Sequence, residues 1–225
     1  MTIHPVLLLL GIVLLWFPRQ WMRRGVALLQ RKRHSSGSSR IVDPWKDREP
    51  GDPQVSFRTE FTKFRNYVDL FRAAAGSLTI WGGMGIVASI FVPDEGPRNL
   101  RLQALALQVV IVLLGALVQA LRYERNRVSF YPPIFYLAGL AVGLCGYQAA
   151  AFAFVLIWAI NPALPNAQAF LTVYALLLTV FGMIFRGMSS PSVVLAGAVT
   201  FLPVLLSLLA GRPLMIFTRK GSRIP

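Results

Sequence analysis

Six apolar runs, at residues 2–17, 73–92, 102–121, 134–160, 167–185 and 192–210, are separated by segments that hold nearly all the charge, and this alternation restricts the fold more than any other feature. Several of the runs approach the ~20 helical residues needed to cross a ~30 Å hydrocarbon layer. With 55% hydrophobic and only 14% charged residues and a mean hydropathy of +0.57, the chain is excluded from the class of ordinary soluble enzymes. The expected fold is all-α: a polytopic membrane helical bundle with about six transmembrane helices, plus amphipathic interfacial helices in a long cytoplasmic connection. The expected layout is a first span over 1–18, the connection over 19–72, a five-span bundle over 73–210 and a basic tail over 211–225.

Two runs have awkward ends. The first is short unless its helix continues through Pro18 to Trp21. The last contains Pro203 and meets Gly211, Arg212 and Pro213 before another apolar patch. No basic residue precedes the first run and no small-x-small site follows it, so it reads as a span and not as a cleaved signal.

Charge orients the chain. Lys and Arg number 23 against 9 Asp and Glu, and 13 of the 23 fall between Arg19 and Arg72. Adding the 122–133 segment and Arg186 gives 17 basic residues on one side against 6 on the other. The positive-inside rule then sets the amino terminus outside and the connection in the cytoplasm, as in a bacterial inner membrane. The tail, with four basic residues, falls on the wrong side of this count. A hairpin at Pro203 would move it across and make the count 21 against 2. Nineteen of the basic residues are Arg, whose planar fork grips phosphate at two points, so anionic lipid is the first partner expected. Nucleic acid is not expected, because the basic residues flank apolar spans instead of lining one soluble face.

The connection divides into three parts. Trp21, Met22, Leu28 and Leu29 share one side of a helical wheel, with Arg23, Arg24, Gln30 and Arg31 on the other, as an interfacial helix requires. HSSGSSR at 34–40 is a linker by composition, and the prolines of 43–53 make successive turns. A second amphipathic helix is expected where Phe57, Phe61, Phe64, Val68 and Phe71 recur at spacings of 4, 3, 4 and 3, a stripe directed at lipid or at a partner. No internal repeat relates the two halves of the chain.

Chemistry is sparse. The last acidic residue is Glu124, so the final 101 residues contain no Asp or Glu. Proton relays and intramembrane hydrolases draw on buried carboxylates, histidines or an activated nucleophile. The two histidines, His4 and His34, lack partners at ligand spacing. Asp43, Asp47, Glu49 and Asp52 miss the calcium-loop pattern, and Gly82, Gly83 and Gly85 lack the lysine of a phosphate loop. No cofactor and no metal is expected. The single cysteine, Cys145, lies within an apolar run.

Small residues take the place of reactive ones. In lipid, helices associate where small side chains let their backbones approach. Gly85 with Ser89, Gly139 with Gly143, and Thr172, Ala175, Thr179 and Gly182 form such seams. Arg186 continues the last seam, as an interfacial anchor or as a candidate anion contact. Gln103, Gln108 and Gln119 with Tyr147 and Gln148 read as interhelical hydrogen-bonders before they read as a polar pathway, and Trp81 needs a partner for its indole N–H. The expected function is a non-catalytic membrane subunit or scaffold, in contact with membrane lipids and other membrane protein subunits. A small transporter or channel for an anionic or lipid-like solute stands second, and an enzyme acting on a lipid phosphate third.

Overall fold

The computed structural model describes residues 2–18, 54–81, 86–87, 98–124, 127–188, 190–211 and 214. Among these, every element longer than four residues is an α-helix: α1 (Pro5–Trp16), α2 (Phe57–Phe61), α3 (Phe64–Trp81), α4 (Arg98–Ala120), α5 (Ile134–Cys145), α6 (Tyr147–Ile160), α7 (Ala167–Arg186) and α8 (Pro191–Leu209). Two small antiparallel ladders accompany them, β1 (Thr2–Ile3) on β2 (Ile86–Val87) and β3 (Leu121–Glu124) on β4 (Arg127–Phe130). Leu102–Ala120, Ala167–Arg186 and Pro191–Leu209 are long and apolar enough to cross a membrane. Pro5–Trp16, Ile134–Cys145 and Tyr147–Ala163 are apolar but shorter.

Helix α5 occupies the centre. Every residue from 130 to 141 is buried, and within α5 only Val142 escapes full burial. Its partner α3 runs parallel to it. Gly139 lies against the Leu70 carbonyl and Ala73, and Gly143 against Ser77, whose hydroxyl donates to the Gly139 carbonyl at 3.3 Å. A side chain at either glycine would force the two helices apart, so the expected GxxxG seam is occupied by α3. Helix α1 crosses α3 in the opposite direction, Gly11 facing Ile80 and Gly76 facing Leu15. Helices α7 and α8 also run antiparallel: Gln168 at the start of α7 donates to Ser207 Oγ near the end of α8 at 2.9 Å.

Outward, the other long helices present large apolar side chains. Val6, Leu9, Phe71, Val110, Phe152, Val155, Leu176, Ile184, Val194 and Leu208 are each at least half exposed. A water-soluble protein rarely carries an apolar surface that encircles it, and a lipid-solvated one must.

Three expectations need correction. The run 134–160 is not one span but two helices folded back at Gly146, which has φ 88° and ψ 156°. Phe135 at the start of α5 therefore packs on Phe154 and Trp158 in α6. That backbone region is open essentially to glycine alone, so one residue makes the turn. The run 73–92 is not a helix throughout: α3 starts at Phe64, inside the expected interfacial helix, and ends at Trp81, while Ile86–Val87 is extended. The break that the stripe conceals comes earlier, at Thr62 and Lys63, where Thr62 Oγ1 donates to the Arg58 and Thr59 carbonyls and ends α2. Finally, α8 runs unbroken through Pro203, so no hairpin forms there.

The fold-back at Gly146 changes which segments share an end of the bundle. One end, here the basic end, holds Phe17, the 54–61 segment, Gln119, the 161–166 turn and the end of α8. The other holds the start of α1, Gly146 and Arg186. Arg186 therefore lies at the end opposite the 54–61 segment, and the 161–166 turn beside that segment, the reverse of what six single crossings imply.

Replacing Gly146 with Ala should cost about 1–3 kcal/mol from the forced φ. Thermal loss of helical signal in detergent should come earlier, and an unchanged midpoint would contradict a glycine-only turn.

Candidate functional site

A helix leaves its last four carbonyls without partners, and inside an apolar bundle each must find a donor. Helix α1 has only 12 residues and ends within the bundle. Its final carbonyls, on Leu15 and Phe17, gather polar side chains from three other helices. Tyr136 Oη of α5 donates to the Leu15 carbonyl at 3.0 Å. Gln119 Nε2 of α4 donates to the Phe17 carbonyl at 2.8 Å, and Arg72 Nη1 of α3 donates to the same oxygen at 2.6 Å. The Arg72 charge is matched by Asp69, Nε to Oδ1 at 2.9 Å, with both side chains less than a tenth exposed, and its guanidinium carbon stands 5.5 Å from the Tyr136 ring centroid. Trp16 Nε1 ties α1 to the Ile111 carbonyl of α4 at 2.9 Å, and Gln108 Nε2 caps the Ile80 carbonyl of α3 at 3.0 Å.

A second polar group fastens the chain just before α2. Gln54 Nε2 faces the carbonyls of Asn161, Pro162 and Leu164, and Asn161 Nδ2 donates to the Val55 carbonyl at 2.7 Å. Ser56 caps α2, and Glu60 joins Lys63 at 2.6 Å and Asn66 at 2.7 Å. These contacts hold Phe61 in an aromatic cluster with Tyr67, Phe135, Phe154 and Trp158.

The predicted stripe is thus divided. Phe61 is half-buried in that cluster and Phe57 stacks on it at 4.2 Å. Phe64, Val68 and Phe71 stay on one outward face of α3, continued by Ala75 and Leu78, with Phe64 79% and Phe71 69% exposed. The exposed Arg58 and the ion-paired Lys63 lie at the basic end of this face. Trp21, Arg23, Arg24 and Arg31, with Gly85 and Ser89, lie outside the described residues.

Of the α7 seam, Ala175, Thr179 and Gly182 meet α8: Gly197 lies against Thr179 and Ala175, and Gly182 against Val193 and Cys145. Thr172 and Thr179 each donate to a carbonyl of their own helix, Gln168 and Ala175. Arg186 is exposed, with Nε 3.4 Å from where a Cβ on Gly146 would be. The residues considered for a polar pathway do not gather: Gln103, Tyr147 and Gln148 are exposed, whereas Gln108 and Gln119 are buried and bound to carbonyls. Trp81 is half-buried against the core.

Asp69, Arg72, Gln54 and Asn161 went unnoticed in the sequence. The i,i+3 acid–base pair at 69 and 72, immediately before an apolar run, was the available signal.

Replacing Arg72 with Met should cost about 3–5 kcal/mol, because Asp69 is left buried and charged. The double change Asp69→Leu with Arg72→Met should cost less than Arg72→Met alone. Gln119→Leu should cost about 0.5–1.5 kcal/mol, the net worth of one hydrogen bond, because the Phe17 carbonyl keeps Arg72 as a donor. Unfolding of each variant in mixed detergent micelles measures all three.

Comparison of the chain with family models, with curated proteins and with solved structures finds no match in any of the three.

Proposed function

We propose that this chain is a non-catalytic integral membrane subunit or scaffold of a larger membrane complex. The observation that carries this reading is the use of the buried polar side chains. Arg72, Gln108, Gln119, Tyr136 and Asn161 each donate to a main-chain carbonyl of a neighbouring segment, so their polarity is spent on joining helices.

Contact with partners is assigned to the α3 face of Phe64, Val68 and Phe71, with Arg58 at its end to meet anionic lipid or an acidic partner. The sequence adds the Trp21, Arg23, Arg24 and Arg31 group to the same basic surface. Partners in this reading are anionic membrane lipids and other membrane protein subunits.

For orientation we propose the basic end in the cytoplasm and the amino terminus on the other side, in a bacterial inner membrane. The fold-back at Gly146 supports this. Segments attached to the basic end then include the tail and carry 20 of the 23 Lys and Arg, which removes the conflict between tail and charge rule.

Two experiments test the reading. Phe64→Ser with Phe71→Ser should strip co-purifying subunits from a mild-detergent extract while changing the unfolding free energy by no more than about 0.5 kcal/mol, as surface changes do. A full complement of partners on the variant would sink the assignment. In a Cys145→Ser background, cysteines placed at Ser35 and Ser222 should react with an impermeant thiol reagent from the same side, and one at Thr2 from the opposite side. Labelling of 35 and 222 from different sides would refute the orientation.

A further inference from the structure

Residues 54–61 lie as a strap across the turn between α6 and α7, and two features suggest that it can lift. Gln54 Nε2, with two hydrogens, is shared among three carbonyls at 3.2 to 3.4 Å, at or past the long end of the N–H···O range. Helix α2 has only five residues, too few to be stable without what it rests on.

Beneath the strap, Trp158 Nε1 and Asn161 Oδ1 are buried without a hydrogen-bond partner, on residues 8% and 6% exposed. The strap roofs both: Phe57 and Phe61 stand 5.4 and 5.1 Å from the Trp158 ring, and Val55 accepts from the Asn161 amide. That bond also fixes which way the Asn161 amide points, since a flip would set two oxygens face to face. The unmatched atoms are opposite in kind, one donor and one acceptor. The residues are three apart, Trp158 in the last turn of α6 and Asn161 just past its end.

We propose that the strap covers a binding site for a neutral, apolar molecule with a free hydroxyl. The hydroxyl accepts from Trp158 Nε1 and donates to Asn161 Oδ1. A hydroxyl is the simple group that does both at one oxygen. Neutrality follows from the walls: Phe57, Phe61, Phe135, Phe154 and Phe170 have ring centroids 5.1 to 6.4 Å from that of Trp158, and such surroundings penalise a charge. Membrane lipids with a free hydroxyl have this chemistry. The site is separate from the Phe64 and Phe71 face, so either assignment can fail without the other.

The test uses the full chain in nanodiscs, with 1,2-dioleoylglycerol as probe and its 3-acetyl ester as the control lacking the hydroxyl. Native mass spectrometry should show the diacylglycerol retained about tenfold over the ester, the value of one buried hydrogen-bonding group. Trp158→Phe keeps a ring but removes the N–H, and should bring the two probes to parity. Gln54→Ala should speed loss of bound diacylglycerol at unchanged helix content. In the wild type, the indole N–H resonance that Trp158→Phe deletes should shift with diacylglycerol and stay still with the ester. Equal retention of both probes, or a preference that survives in Trp158→Phe, would overturn the proposal and leave water as the occupant.

Discussion

A short helix ending inside an apolar bundle presents carbonyl oxygens that nothing on its own turn can satisfy, and the arrangement around α1 answers that constraint. Arg72, Gln119 and Tyr136 come from three different helices and converge on the Leu15 and Phe17 carbonyls. A slide of any one helix by a single turn, ~5.4 Å, would pull its donor away from the oxygen it serves. The register of four helices is therefore fixed at one place. The cost of placing Arg72 and Asp69 there is offset in part by their mutual contact and by the Phe17 carbonyl that Arg72 Nη1 reaches.

Close backbone contact supplies the rest. Between helices in lipid there is little hydrophobic drive, because the acyl chains are as apolar as the side chains they would replace. What remains is dispersion at short range, which grows as backbones approach. The glycines on α5 and α7 allow that approach at α3 and α8, and the polar side chains then fix position along it. The outward apolar faces are left to the surrounding lipid or to a partner.

Much of this could be read from the sequence. The runs at 102–121, 167–185 and 192–210 correspond to α4, α7 and α8 because length and apolarity alone determine such helices. The glutamines at 108 and 119 act as interhelical donors, as buried amides in apolar runs tend to. What escaped notice was hidden by the same apolarity. A hydropathy reading averages over a window, so Gly146, apolar itself, vanishes within 134–160 although its φ reverses the chain. The stripe from Phe57 to Phe71 keeps helical spacing through Thr62 and Lys63, where the helix stops, because periodicity records side chains and not hydroxyls competing for carbonyls. The carbonyl partners of Arg72, Gln54 and Asn161 lie 55 to 110 residues away, beyond any local pattern.

The reversal at Gly146 governs more than the two helices it joins. Turning a run that could cross once into one that returns alters the parity of everything after it, so the last two long helices and the tail exchange ends together. The backbone conformation of one residue thus decides which end of the bundle receives α7's start and α8's finish.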